Sequence, residues 1–304
     1  MATVNSDFVR ALNVGVKSIY EDAYKLAPGV WDMLATVIPS TQQTESYAWI
    51  ADVPMMKEFL DERQLRALKD FGFAISNRKW EATIAFAREI FEDDHTGQIS
   101  PRIMSLAESA KSHYDKLLFD LIASNPTAFD GVAFYHATHN NLVSGGGSVL
   151  SATSLGAAYA AMRKQTTPLE GQPMDIKPTH LLVPPDLELN ASSILNSLYQ
   201  PDAAGSLLAI GADNPVRRLG LTLLVSARLP TATEWHLFDC GHAVKPWIIQ
   251  QRIAPTLSTP NAAMFGEMGE SETAFMRDEL VYGIRSRDNA GPGLPQYAYK
   301  SAGA

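Results

Sequence analysis

Apolar positions recur at helical spacing from residue 6 to 26, where Phe8, Val9, Leu12, Val16, Ile19 and Tyr20 share one stripe and Pro28-Gly29 ends the pattern. The stripe predicts an amphipathic helix. The same period returns from Pro54 to about Lys69, with Asp52 near the cap and Pro54 in the first turn. Here Met55, Met56, Phe59, Leu60 and Leu68 make the apolar stripe. The period then switches to two. Phe71, Phe73 and Ile75 alternate with small or polar residues, Asn77-Arg78 can turn, and Trp80, Ala82, Ile84 and Phe86 alternate with Glu81, Thr83, Ala85 and Ala87. This reads as a β-hairpin with one strongly apolar face. A lone two-stranded ribbon is marginal in water, so either the chain's own core or another molecule must cover that face.

Ser100 and Pro101 open the longest helical pattern, which runs to about Asn125 before Pro126 stops it. Ile103, Leu106, Ala110, Tyr114, Leu117, Leu118, Leu121 and Ile122 form its broad apolar face. A glycine-rich bend, Ser144-Gly-Gly-Gly-Ser148, reads as a flexible tip and leads to a helical pattern from Ser154 to Gln165. Thr179 to Val183 reads as a short buried strand, Asp186 to Leu198 as a helix, and residues 200 to 216 as loop. Strands follow at about 219–228, 234–240 and 245–254. In the C-terminal stretch Met276, Leu280, Tyr282 and Ile284 take one face of a strand, while Arg277, Glu279, Arg285 and Arg287 take the other. Asn289-Ala-Gly-Pro-Gly293 then reads as a turn, because glycine permits positive φ and proline fixes its own. A closing strand runs from Gln296 to Lys300. A hairpin, a long helix and then mixed strands and helices add up to an α+β chain.

The 304 residues, 46% of them apolar, suffice for a sizeable core in one large or two small domains. A single cysteine, Cys240, excludes a disulfide framework and suits a reducing cytoplasm. No signal-peptide pattern opens the chain, and no run of about 18 apolar residues points to a membrane span. The net charge of −8 argues against a dedicated nucleic-acid binder, whose affinity would come from Lys and Arg on phosphates.

Four constellations could carry chemistry. His136 and His139 could share a metal with Asp130, but three or four protein ligands are normally needed and no further partner is near in sequence. Cys240-Gly-His242 places a thiol beside an imidazole, although catalytic pairs usually come from separate parts of a chain. Asp93-Asp94 could hold a cation, or simply put negative charge near a helix N-terminus. The glycine bend lacks the Lys-Ser/Thr ending of a phosphate loop. The reading assigns no catalytic, cofactor-binding or metal residue and expects no cofactor.

Four segments, taken in order, resemble one family: Glu92-Asp-Asp-His-Thr-Gly97, Lys177-Pro-Thr-His-Leu-Leu-Val-Pro-Pro-Asp186, Leu237-Phe-Asp-Cys-Gly-His-Ala-Val-Lys-Pro-Trp247, and the C-terminal Leu280-Val-Tyr-Gly-Ile-Arg-Ser-Arg287 with its glycine-rich turn and aromatic strand. The chain resembles the Mu-like prophage major head subunits, a branch of the tailed-phage major capsid proteins, over about residues 40 to 301. The resemblance implies the tailed-phage major capsid fold. Its parts would be an N-terminal arm at 1–43, an extended loop at 44–92, a peripheral domain at 93–177 and 244–304 with a spine helix at about 101–125, and an axial domain at 178–243. It favours a neighbouring subunit as the cover of the apolar ribbon, making Phe71, Phe73, Ile75, Trp80, Ile84 and Phe86 candidate inter-subunit contacts. The implied function is structural, not enzymatic: hexamers and pentamers tiling an icosahedral shell around phage double-stranded DNA, assembled in the bacterial host cytoplasm and retained in the virion. Implied partners are other copies of the chain, a separate scaffold protein, a portal, a decoration protein, and packaged DNA by weak non-specific contact, with no membrane. One capsid lineage welds subunits through Lys–Asn bonds, and Lys79 sits on the ribbon, yet no motif marks an acceptor. The alternatives are an encapsulin-like cargo compartment and a metal-assisted hydrolase using His136 and His139.

Overall fold

A 26-residue helix organises the molecule, and two sheets are built against it. The computed structural model describes residues 6–47, 73–87, 89–90, 97–145, 147–167, 171–198, 213–259 and 279–303. The sequence-predicted helix at 54–69, together with Phe71, Asp93, Asp94 and most of the 200–216 loop, lies outside them. In chain order the elements are α1 (Ser6–Leu26), α2 (Trp31–Leu34), β1 (Ala35–Pro39), β2 (Thr44–Ser46), β3 (Ala74–Ser76), β4 (Arg78–Ala87), α3 (Ile99–Ser124), β5 (Leu142–Val143), α4 (Ala152–Arg163), β6 (His180–Val183), α5 (Glu188–Asn196), β7 (Thr222–Val225), β8 (Trp235–Phe238), β9 (Trp247–Ser258), β10 (Glu279–Pro292) and β11 (Ala298–Ser301).

Helix α3 fulfils its sequence pattern, starting at Ile99 and ending where Asn125 turns left-handed ahead of Pro126. Ile103, Tyr114, Leu118 and Ile122 on its predicted apolar face are fully buried. The stripe serves two cores. Toward its N-terminus Ile103, Ala107 and Ala110 pack with Val16 and Tyr20 of α1 and with Phe86, Leu280, Tyr282 and Ile284. Toward its C-terminus Tyr114, Leu118 and Ile122 pack with Trp31, Leu34, Phe134, Trp247 and Ile249. Each such side chain contributes about 1.5–3 kcal/mol by leaving water. Asp115 ties in the N-terminal segment, accepting the N–H groups of Val30 and Trp31, each at 2.9 Å. Helix α1 therefore lies on its own subunit's α3.

A four-stranded sheet, in the order β1-β9-β10-β4, covers one side of α3, and a five-stranded sheet, β5-β11-β8-β6-β7, forms the second layer. A short β2-β3 pair packs beneath the first sheet, where Tyr47 Oη donates to Gln250 Oε1 at 2.8 Å. Helix α4 begins with a reciprocal capping box between Ser151 and Ser154.

One local reading of the C-terminal stretch is corrected. Asn289-Ala-Gly-Pro does not turn the chain. It continues β10, with Gly291 opposite Ile248 and Pro292 opposite Trp247. Its glycines answer close approach, since a Cβ on Gly291 would sit 2.3 Å from Ile75 Cδ1 and one on Gly293 2.8 Å from two carbonyl oxygens. At the end of the glycine bend before α4, Ser148 is fully buried, and its carbonyl accepts from Trp235 Nε1 at 2.8 Å and Ser301 Oγ at 2.6 Å.

Candidate functional site

Strand β4 is the first place to look, because the sequence singled out its apolar face. The structure does not fold residues 73–87 into a hairpin. β3 pairs with β2, and β4 pairs with β10 in ten antiparallel positions from Glu279↔Ala87 to Asp288↔Arg78. The two strands share a period of two, so Phe86, Ile84 and Ala82 stand across from Leu280, Tyr282 and Ile284 on the α3 side. Nothing local signals this partner, which lies about 200 residues away. Phe86 is only 1% exposed and packs into the core of its own subunit, and Ile75, at 4%, is seated over Gly291. Phe73 stacks on Tyr47 with ring centroids 5.5 Å apart.

Trp80, Ile84 and Phe73 remain half-buried. Trp80 Nε1 donates to the Asp288 carbonyl at 3.3 Å, and its ring lies 4.7 Å from that of His113. Beside it a cleft of about 150 Å³ opens between β4, α3 and β10, lined by Trp80, Glu81, Ser109, His113, Ile284 and Ser286. His113 Nε2 lies 3.1 Å from the carboxylate of Asp288, which is fully buried. Of the six sequence candidates the structure brings Trp80, Ile84 and Phe86 onto one sheet face, sets Ile75 and Phe73 under its other end, and leaves Phe71 outside the described residues.

The enzyme-like constellations resolve into structural contacts. His139 is buried and both its ring nitrogens are engaged, Nε2 with Asp130 Oδ2 at 2.8 Å and Nδ1 with the Phe134 carbonyl at 3.1 Å. Burial would raise the Asp130 carboxyl, but the hydrogen bonds from His139 and the Val132 N–H outweigh it and hold it below the usual range. His136 Nδ1 meets Thr138 Oγ1 at 2.9 Å. Among the described residues no group of three or more His, Cys, Asp or Glu side chains is placed to hold a metal. Burial pushes the Cys240 thiol up to about 12, the opposite of a nucleophile's requirement. His242 turns to Asp239 at 3.3 Å and stacks on Tyr297 at 4.5 Å.

Sequence reasoning missed one buried charge cluster. Glu234 is 2% exposed and meets Lys300 Nζ at 3.0 Å and His236 Nε2 at 3.4 Å, while His236 Nδ1 meets Tyr135 Oη at 3.1 Å. Burial would raise the Glu234 carboxyl, but His236 and Lys300 outweigh that and hold it down to about 2. The sequence held a faint signal, a Glu and a His two apart at a buried strand, but not Lys300, which arrives from β11.

The described sites thus offer buried polar groups held mostly by one another and an extended sheet surface, with no assembled catalytic centre among them. The family model of the Mu-like prophage major head subunit gpT matches residues 9–151, 141–229 and 210–304, nearly the whole chain. The chain belongs to this family. It is 28% identical over 305 residues to the Mu-like prophage FluMu major head subunit of Haemophilus influenzae, spanning 100% of this chain and 76% of that relative. It is 22% identical over 292 residues to the major capsid protein of Escherichia phage Mu, spanning 95% of this chain and 72% of the relative. A subunit in the procapsid of bacteriophage JBD30 superposes with a TM-score of 0.56 at 23% identity, covering 98% of this chain and 76% of that one. At that identity the likeness shows the fold, that of the tailed-phage major capsid proteins. The family match is what favours a head subunit over a cargo compartment or a hydrolase. A major head subunit is a structural capsid protein, so its working parts are the surfaces on which copies meet.

Proposed function

We propose that this head subunit assembles as hexamers and pentamers into an icosahedral shell that encloses phage double-stranded DNA. The observation that carries the reading is the match of nearly the entire chain to the major head subunit family. In this reading residues 1–43 form the arm and 44–92 the extended loop. Residues 93–177 with 244–304 make the peripheral domain, and 178–243 the axial domain. Assembly takes place in the host cytoplasm with a separate scaffold protein and a portal. A decoration protein joins the finished shell, and DNA touches its inner wall weakly. The formal charge of −8 supports the last point, since a wall that gripped phosphates would impede packaging and ejection.

Within that shell the half-buried aromatic edge at Trp80, with Ile84 and Phe73, is the contact a neighbouring subunit covers. Large aromatics dominate interface energetics, and truncating one costs about 2 kcal/mol or more. Negative-stain microscopy of the expressed protein, with and without a co-expressed scaffold, tests the proposal. Closed shells of six- and five-fold units are expected, and unassembled subunits under both conditions would overturn it.

A further inference from the structure

The four-stranded sheet has a second face. On the side toward α3 three cross-strand pairs are apolar, Phe86–Leu280, Ile84–Tyr282 and Ala82–Ile284, but on the opposite side the register sets Lys79 directly across from Arg287 and Glu81 directly across from Arg285. Like charges directly opposite on antiparallel strands are destabilising. None of Lys79, Arg285 and Arg287 joins an ion pair among the described residues. Arg287 carries an additional cost, because its Nε is buried without a hydrogen-bond partner. An acidic chain that sets Lys79 and Arg287 against each other on one face, with no ion pair to either among the described residues and an orphan donor on Arg287, has built a surface for an anion.

We propose that this face docks the carboxylates of residues 260–278 from a second copy of the chain, an assignment that rests on the reading of the protein as a self-assembling subunit. The segment carries Glu267, Glu270, Glu272 and Asp278 against Arg277 alone, and no lysine. It joins β9 to β10 and is attached at the Ser258 and Glu279 end of the sheet. Arg285 lies six positions beyond Glu279, about 20 Å back along the strand at ~3.3 Å per residue. A neighbouring copy laid alongside brings the two charge patterns together. DNA is the other polyanion at hand. A chain of net charge −8 repels it at long range, however, and the face offers three cations rather than a long basic track.

The test is a charge swap read in two assays, shell yield by sedimentation and the thermal midpoint of the isolated subunit. Lys79→Glu reverses the charge facing Arg287, giving it a carboxylate across the strand, and leaves the Glu81–Arg285 pair intact. The isolated subunit should therefore keep or raise its midpoint, and shell yield at low salt should fall at least about ten-fold. Adding Glu267→Lys, Glu270→Lys and Glu272→Lys should return the yield to within about three-fold of the unmodified chain. Shells from the unmodified chain together with an undiminished yield from the reversed face would overturn the docking site while leaving the assembly reading intact. If either reversal lowers the midpoint of the isolated subunit, the acidic segment lies on its own chain and a second copy is excluded. If the three added lysines restore nothing and a duplex oligonucleotide binds the face of the isolated subunit, the ligand is phosphate and the proposal fails. An unmodified chain that never forms shells removes the assembly reading itself.

Discussion

The two sheets treat charge in opposite ways. In the five-stranded sheet Glu234 is enclosed with Lys300 and His236, each at hydrogen-bond or ion-pair distance, and Tyr135 closes the cluster. In the four-stranded sheet Lys79 and Arg287 face one another with no anion between them. A buried charge must be paired, because leaving one uncompensated costs several kcal/mol. Lys79 is exposed and under no such demand, whereas Arg287 keeps a buried Nε without a partner, and the pair reads as a surface awaiting one. In the proposed reading the Glu234 cluster therefore serves the fold of one subunit, and Lys79 and Arg287 serve its association.

Helix α3 underlies both sheets, so a charge in its stripe breaks the comparison outright. Leu118→Asp would bury a carboxylate at a fully enclosed position and should cost several kcal/mol, enough to unfold a domain of ordinary stability. Insoluble protein and a lost circular dichroism signal are expected. Phe86→Ala comes next, at about 3–5 kcal/mol, because the ring sits in the subunit's own core. Trp80→Ala should lower the thermal midpoint far less and shell yield far more. Equal effects of the two on the midpoint would place Trp80 in the core as well.

Lys300→Met leaves Glu234 with His236 alone and should cost about 3 kcal/mol by denaturant unfolding. The same cluster sets an acid limit. Glu234 titrates near 2 in the fold against an ordinary value of 4.5, so its stabilisation is present above about pH 4.5 and drains away as pH falls toward 2. Burial lowers the His236 imidazole below its ordinary 6.5. The unfolded chain therefore takes up that proton first, and stability already begins to decline below pH 6.5. The thermal midpoint should fall across both windows on acidification, and Glu234→Gln should flatten the lower one. The smallest effect is expected at the other sheet, where Lys79→Met removes half of a like-charge pair. Its unfolding free energy should stay within experimental scatter or rise slightly, by at most about 0.5 kcal/mol. A loss comparable to that of Lys300→Met would mean that Lys79 has a partner inside the subunit.

Much of this was written locally in the chain. The 3.6-residue period of Val16 and Tyr20, and of Ile103, Tyr114, Leu118 and Ile122, predicts α1 and α3, because a helix must turn its apolar stripe toward a core and the stripe is visible without the core. The alternation in β4 and β10 predicts two half-buried strands for the same reason, and the order and spacing of the motifs from Glu92 to the C-terminal aromatic strand carry the family resemblance. What the sequence left open is which surfaces meet. Strand pairing is chosen by hydrogen bonds and side-chain fit between residues far apart in the chain, so the β4–β10 register and the resulting burial of Phe86 had no local signature. The same holds for Gly291 and Gly293, whose small size answers Ile75 and the carbonyls near Pro246 rather than a turn. His139 was recognisable as chemistry by its type, but only the packed loop, with Asp130 and the Phe134 carbonyl on its two nitrogens, decided that this chemistry holds a fold together. Local period fixes which face of an element is apolar, whereas tertiary structure alone chooses what covers it, since that depends on contacts whose partners are brought together only when the chain closes.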